Sequence, residues 1–231
     1  MELVRLETPE KAKSLLAKAI ASIPKSERVW LAAAQREADK TMKIKILKRG
    51  LEFISNSSKI WKELVELVDE NEAKALLYRA VECLPTDLEL WLALAKLETY
   101  DKAKVILNQA RTHLPQEIAV WVYAAKLEES YGKTKDEIVK MIGKSLKVLE
   151  KNRTIMKRED WLKEAMIAEN SGNPFTCEAI IIGTIGLNLS EEEKEKAWLE
   201  DSENCEKNGF IQTARNIYMY MASYFKGRKS L

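Results

Sequence analysis

Between Ala73 and Leu84 the apolar positions Ala73, Leu76, Leu77, Ala80, Val81 and Leu84 recur three and four residues apart, the rhythm of one buried helix face. Pro85 ends that helix, since its ring removes an N–H and disfavours helical geometry in the residue before it. A second helix is predicted immediately after. Trp91, Leu94, Ala95 and Glu98 form its stripe, and Thr86 with Glu89 three residues on is placed to satisfy its first N–H groups. Ser26 and Asn56 occupy neighbouring starting positions elsewhere, and Ala33-Ala34 and Ala124-Ala125 repeat the small residues one turn after a tryptophan.

The hairpin recurs in register. Trp30, Trp61, Trp91 and Trp121 succeed one another at 31, 30 and 30 residues, and Trp161 and Trp198 at 40 and 37. Pro24, Ser55, Pro85 and Pro115 stand six residues before the first four tryptophans, and Ala19, Gly50, Ala80 and Ala110 five residues before those. A period of this size marks a helical repeat array, in which each helix pair buries its apolar face only by stacking on a neighbour. The indoles are expected to be internal wedges between closely approaching helices, because a ligand-stacking role would not recur with the period of the fold. Residues 1–231 are thus expected to form a single continuous array of about seven helix-pair units, roughly 55–70 Å along the stack. The chain opens on a second-type helix, Ala12 to Ile23, and ends after another, Thr213 to Phe225, which suggests a piece of a longer repeat protein.

Composition agrees with stacked amphipathic helices: 46% hydrophobic and 32% charged residues leave no room for a long disordered segment, and 8 Gly and 5 Pro are few. A formal charge of +2 is too small to draw nucleic acid or an anionic membrane to the whole body. Cys83, Cys177 and Cys205 have no paired spacing, so neither a disulfide framework nor a zinc site is indicated. The charged segment Met1 to Leu16 is unlike a secretory leader, and no apolar run is long enough to span a bilayer. The triplets beginning at Asn56, Asn152 and Asn188 match a glycosylation acceptor by chance in a chain read as intracellular.

Trp91-Leu97-Glu98 and Trp121-Leu127-Glu128 reproduce a W-x5-L-E pattern, Glu37 keeps the acid after Trp30, and Trp61-Leu67 lacks it at Val68. With the alanine-rich second helix closed by proline, these residues resemble the half-a-TPR, or HAT, repeat of RNA-processing proteins. The resemblance implies an all-α, right-handed α-α superhelical solenoid of TPR-like HAT repeats, with no catalytic residues to carry over. The segment Ala80 to Tyr100 and the runs from Trp161 and Trp198 resemble a member of that family that joins the U5 and U4/U6 particles of the spliceosomal tri-snRNP. The likeness implies a non-catalytic nuclear scaffold of pre-mRNA splicing, whose partners are other spliceosomal proteins of the tri-snRNP. A HAT scaffold of 3′-end cleavage is the alternative within the family. A TPR-like peptide adaptor would need a ladder of basic or polar residues on the first helices, and none is seen.

Candidate chemistry is sparse. His113 is the one histidine and falls in register with Ser22, Phe53 and Cys83, so acid–base catalysis has no foundation on it. Gly183-Thr184-Ile185-Gly186 lacks the third glycine of a dinucleotide fingerprint, and no cofactor, metal or small-molecule substrate is implied. Glu37, Glu98 and Glu128 are expected to meet a basic group or helix-end amides, as a buried acid must. The best contact patch is the basic stretch Lys140, Lys144, Lys147, Lys151, Arg153, Lys157 and Arg158, seven cations against Glu150 alone. Residues 191–206 carry eight acids against Lys194 and Lys196. The two stretches are expected to face and partly neutralise each other as solvated surface, with contact to a partner or to RNA the second account.

Overall fold

The computed structural model describes residues 9–228, which fold into thirteen α-helices with no strand among them. The segment read for a leader lies partly, at 1–8, outside the described residues. The chain divides into two compact units, one ending at His113 and the other starting at Leu114.

The first unit holds α1 (Pro9–Ser22), α2 (Glu27–Arg36), α3 (Lys40–Phe53), α4 (Ser58–Leu67), α5 (Glu70–Cys83), α6 (Leu88–Leu97) and α7 (Tyr100–His113). After α1, ten-residue and fourteen-residue helices alternate, so each hairpin repeats the same geometry. Each helix packs against the next in chain order. The buried faces are those the periodicity marks: Leu90, Trp91, Leu94 and Ala95 on α6, and Ala73, Leu76, Leu77, Ala80 and Val81 on α5. Full burial of one such leucine contributes about 1.5–3 kcal/mol, and on these short helices it outweighs intrinsic propensity.

The second unit holds α8 (Ile118–Ser130), α9 (Lys135–Lys151), α10 (Arg158–Asn170), α11 (Pro174–Thr184), α12 (Lys194–Lys207) and α13 (Ile211–Arg228). Here helices pair as hairpins α8/α9, α10/α11 and α12/α13, and the second helices also pack on one another, α9 on α11 and α11 on α13. One continuous core runs through the unit, including Ile138, Trp161, Cys177, Ile180, Trp198 and Ile217. Five of the six helices exceed their counterparts in the first unit, and the connections 131–134, 152–157 and 185–193 are longer too. Between Trp161 and Trp198, where α11 is the shorter second helix, the added residues lie mostly in 185–193.

The turns between hairpins depart from the sequence reading by one residue. Helix α6 is capped by Asp87, whose carboxylate accepts from the N–H groups of Glu89 and Leu90, and not by Thr86. Ser57, not Asn56, caps α4 by accepting from Ile60 N–H. Ser26 is the residue before α2, but its hydroxyl makes no cap bond. The turns share one form: Ser26, Ser57, Asp87 and Glu117 each donate N–H to the carbonyl three residues back, and this tight turn moves the cap one place further on. Ile54 and Leu84 take the same non-helical conformation, φ −137° and −132°, although Ser55 comes after the first and Pro85 after the second. Tertiary packing therefore sets this geometry, and proline only favours it.

Candidate functional site

The recurring element of the first unit is a joint made by tryptophan. Trp30, Trp61 and Trp91 are all buried, and each indole N–H donates to the backbone carbonyl six residues earlier: Pro24 at 2.7 Å, Ser55 at 2.8 Å and Pro85 at 2.9 Å. The ring thus ties the turn before its helix to the helix itself, and a carbonyl that the turn leaves outside the helical ladder gains a partner. Across the hairpin, Trp30 stacks on Phe53 at 5.8 Å and Trp91 on His113 at 5.7 Å, which gives the variable position at the end of the second helix a ring-facing role. Gly50 faces Trp30 so closely that a Cβ there would lie 3.1 Å from the ring. Grooves of about 510 and 410 Å³ lie beside Trp30 and Trp61, between successive second helices, and Arg49 and Arg79 stand at their edges.

The second unit solves the same problem with other groups. Trp161 and Trp198 are fully buried, while Trp121 is half-buried against the core. Pro115 C=O accepts from the Asn152 side chain at 3.1 Å, and Gln116 donates back to Asn152 C=O at 3.2 Å. Trp198 N–H donates to Ile185 C=O at 2.7 Å, and α13 encloses its ring with Tyr220, Tyr224 and Phe225. Asn188 holds Met156 C=O at 2.8 Å, so Asn152 and Asn188 both serve as backbone clamps.

Two glutamates that sequence reasoning missed join successive hairpins. The Glu129 carboxylate of α8 accepts from Phe175 N–H, Thr176 N–H and the Thr176 hydroxyl, at 2.8, 2.8 and 2.6 Å, at the start of α11. Glu169 of α10 does the same for Gln212 N–H, Thr213 N–H and the Thr213 hydroxyl of α13, at 2.9, 2.8 and 2.6 Å. Each places a negative charge on the positive end of a helix, and in α11 the residue preceding the helix supplies no side-chain cap of its own. The available signal was a glutamate eight residues after Trp121 and Trp161, paired with threonine at the third position of a later helix.

The acids of the W-x5-L-E pattern lie at helix ends. Glu37 and Glu98 are the residues just past α2 and α6, in extended conformation and not on the helical stripe, whereas the longer α8 carries Glu128 inside, buried. Glu37 pairs with Lys13 at 2.8 Å. Glu98 meets Lys102 at 3.6 Å and accepts from the Tyr78 hydroxyl at 3.1 Å.

The basic stretch is not neutralised as the sequence suggests. Only Arg158 meets the acidic stretch, 3.4 Å from Asp201, with a further contact to Glu159 at 3.6 Å. Burial raises the Asp201 carboxyl above its ordinary value, against the pull of Arg158. Lys140, Lys144, Lys147, Lys151, Arg153 and Lys157 are exposed, and their side chains make no ion pair among the described residues. Among those residues no group of three His, Cys, Asp or Glu is placed to hold a metal, and no helix is long and apolar enough to cross a membrane.

Stacked helix hairpins joined by indole-to-carbonyl and carboxylate-to-helix contacts define an all-α solenoid of repeats, a class that works through its surfaces. No family model matches the chain. Over its full length it is 42% identical to pre-mRNA-processing factor 6 of Homo sapiens, of which it covers 24%. It is 44% identical over 237 aligned residues to protein STABILIZED1 of Arabidopsis thaliana, covering the whole chain and 23% of that protein. Pre-mRNA-splicing factor prp1 of Schizosaccharomyces pombe matches at 37% over 83 residues, 36% of the chain and 9% of its own length. The similarity relates the whole chain to a segment like that of pre-mRNA-processing factor 6, and the chain spans about a quarter of the length of these two full-chain relatives.

Proposed function

We propose that the chain is a non-catalytic helical-repeat scaffold of pre-mRNA splicing, acting in the nucleus by holding other proteins of the splicing machinery. The finer reading is that it helps to bridge the U5 and U4/U6 particles of the tri-snRNP through protein–protein contacts, with its repeats acting as one array. The observation that carries the proposal is the 42% identity to human pre-mRNA-processing factor 6 over all 231 residues of the chain. The physical support is where the polar groups go: tryptophan N–H groups, asparagine amides and glutamate carboxylates bind turns and helix ends. Such joints hold neighbouring hairpins at set angles, as a scaffold requires.

Affinity purification from nuclear extract tests the reading, with the chain as bait and proteins identified by mass spectrometry. Recovery of U5 and U4/U6 proteins together is the expected result. Enrichment of 3′-end cleavage factors instead, or of no splicing protein under conditions where a full-length relative used as bait recovers them, would overturn it.

A further inference from the structure

Lys140, Lys144, Lys147 and Lys151 succeed one another at four, three and four residues on α9, so they share one face of the helix. Ile138, Ile142, Ser145 and Leu149 are the buried residues of that helix, and at about 100° per residue the lysine row lies opposite them, facing outward. The row is about 16 Å long at 1.5 Å per residue. Asp136 and Glu137 belong to the first turn, where they complement the helix dipole, and Glu150 is the other acid of the helix. Lys135, on a different face, is paired with Glu178 at 2.6 Å, while the four lysines of the row have no such partner among the described residues.

Two further features border the row. Gly143, three residues after Lys140 and four before Lys147, is a helix-interior glycine around which a Cβ would meet nothing within 4 Å. Glycine weakens a helix relative to alanine, and no neighbour among the described residues explains it here, unlike Gly50 against Trp30. On the other side of the row Val148 is 38% exposed; Ile155, 82% exposed between Arg153 and Lys157, follows four residues after the helix end. The open space at Gly143, a line of lysines without ion pairs among the described residues and the exposed Val148 thus lie together on the outward side of α9. The helix carries no aromatic residue on which a base could stack, which favours a protein partner over single-stranded RNA.

We infer that this face of α9 docks an acidic amphipathic helix of a partner protein, its carboxylates in the same four-three-four spacing and its backbone passing over Gly143. Val148 and Ile155 meet the apolar edge of that helix. The inference rests on the scaffold reading and adds the partner's chemistry to it.

The test uses the full chain, isotope-labelled, and an alanine-based helical peptide bearing glutamates in that spacing, titrated at low salt while amide shifts are followed by NMR. Shifts concentrated on α9 and residues 152–157 are expected, fading as salt shortens the screening length. Lys144→Glu with Lys147→Glu should weaken binding about fivefold or more, since both pairs turn repulsive. Gly143→Ala should give a more stable chain that binds the peptide more weakly, an outcome that loss of folding cannot mimic. A single-stranded RNA oligonucleotide is titrated in parallel. Shifts on α9 from the RNA and none from the peptide, or no α9 shifts from either, would overturn the inference. So would peptide binding that ignores both the charge reversal and Gly143→Ala. A chain that recovers splicing proteins from extract while α9 ignores the peptide would remove this inference and leave the functional reading standing.

Discussion

Glu169→Ala tests the carboxylate joint most severely. The wild-type carboxylate accepts two backbone N–H groups and one hydroxyl at the start of α13, all within 2.9 Å, and Thr213 is completely buried. Removing it deletes a helix cap, worth about 0.5–2 kcal/mol, and a favourable dipole contact of about 0.3–1 kcal/mol. The Thr213 hydroxyl then keeps only the weak Cys177 sulfur contact at 3.4 Å, which adds part of the about 1–3 kcal/mol cost of an unsatisfied buried group. Together these give about 3 kcal/mol. Glu169→Gln keeps one acceptor oxygen but turns an amino group toward N–H donors, so about 2 kcal/mol is expected. Urea denaturation followed by tryptophan fluorescence measures both, because Trp198 sits inside the aromatic cage of α13. Repeat arrays can unfold in parts, so exchange of the Gln212 and Thr213 amides supplies a local reading. A double-mutant cycle with Thr213→Val isolates the contribution of the hydroxyl and should show coupling of about 1 kcal/mol or more. Destabilisation below about 0.5 kcal/mol for Glu169→Ala, with those amides still protected, would refute the reasoning.

The remaining joints make their own predictions. Trp91→Ala should cost about 3–5 kcal/mol and Trp91→Phe less, with hydrogen exchange rising across residues 73–110; unchanged exchange there would count against the indole as the tie. Alkylation near neutral pH should modify exposed Cys83 first, because Cys177 and Cys205 are buried and burial raises both thiols, Cys205 to about 11; early labelling of Cys205 would show that unit to be open. The bond from Lys133, then those from the N–H and hydroxyl of Thr134, hold the Glu137 carboxyl at about 2 against an ordinary 4.5. Since the folded value is the lower one, that contribution is complete above about pH 4.5 and is lost as pH falls toward 2; a carboxyl shift midpoint at the ordinary value would contradict the assignment.

Much of this architecture is legible in the residues because it is local. The three-four rhythm of α5 and α6, and the tryptophan period, both come from burial on one face, and burial leaves a regular mark in sequence. The six-residue spacing between Pro85 and Trp91 is visible too, although as a repeat landmark; its cause is a hydrogen bond from indole to carbonyl. The caps shift because Thr86 and Asp87 are both competent oxygens, and only the preceding tight turn selects the second. Glu129 and Glu169 escape notice because donor and acceptor lie 43 to 47 residues apart on different hairpins. The facing of basic and acidic stretches rests on adjacency of units, yet α9 turns its lysine row away from its core, and Arg158 alone of that stretch reaches an acid of the other.

A segment exchange is the sharpest test of the scaffold reading: the stretch of human pre-mRNA-processing factor 6 that matches, 24% of that protein, is replaced by this chain in human cells. The chimera is expected to enter U5- and U4/U6-containing particles in gradient fractions and to sustain splicing. A chimera that is folded and nuclear yet stays outside those particles would contradict it.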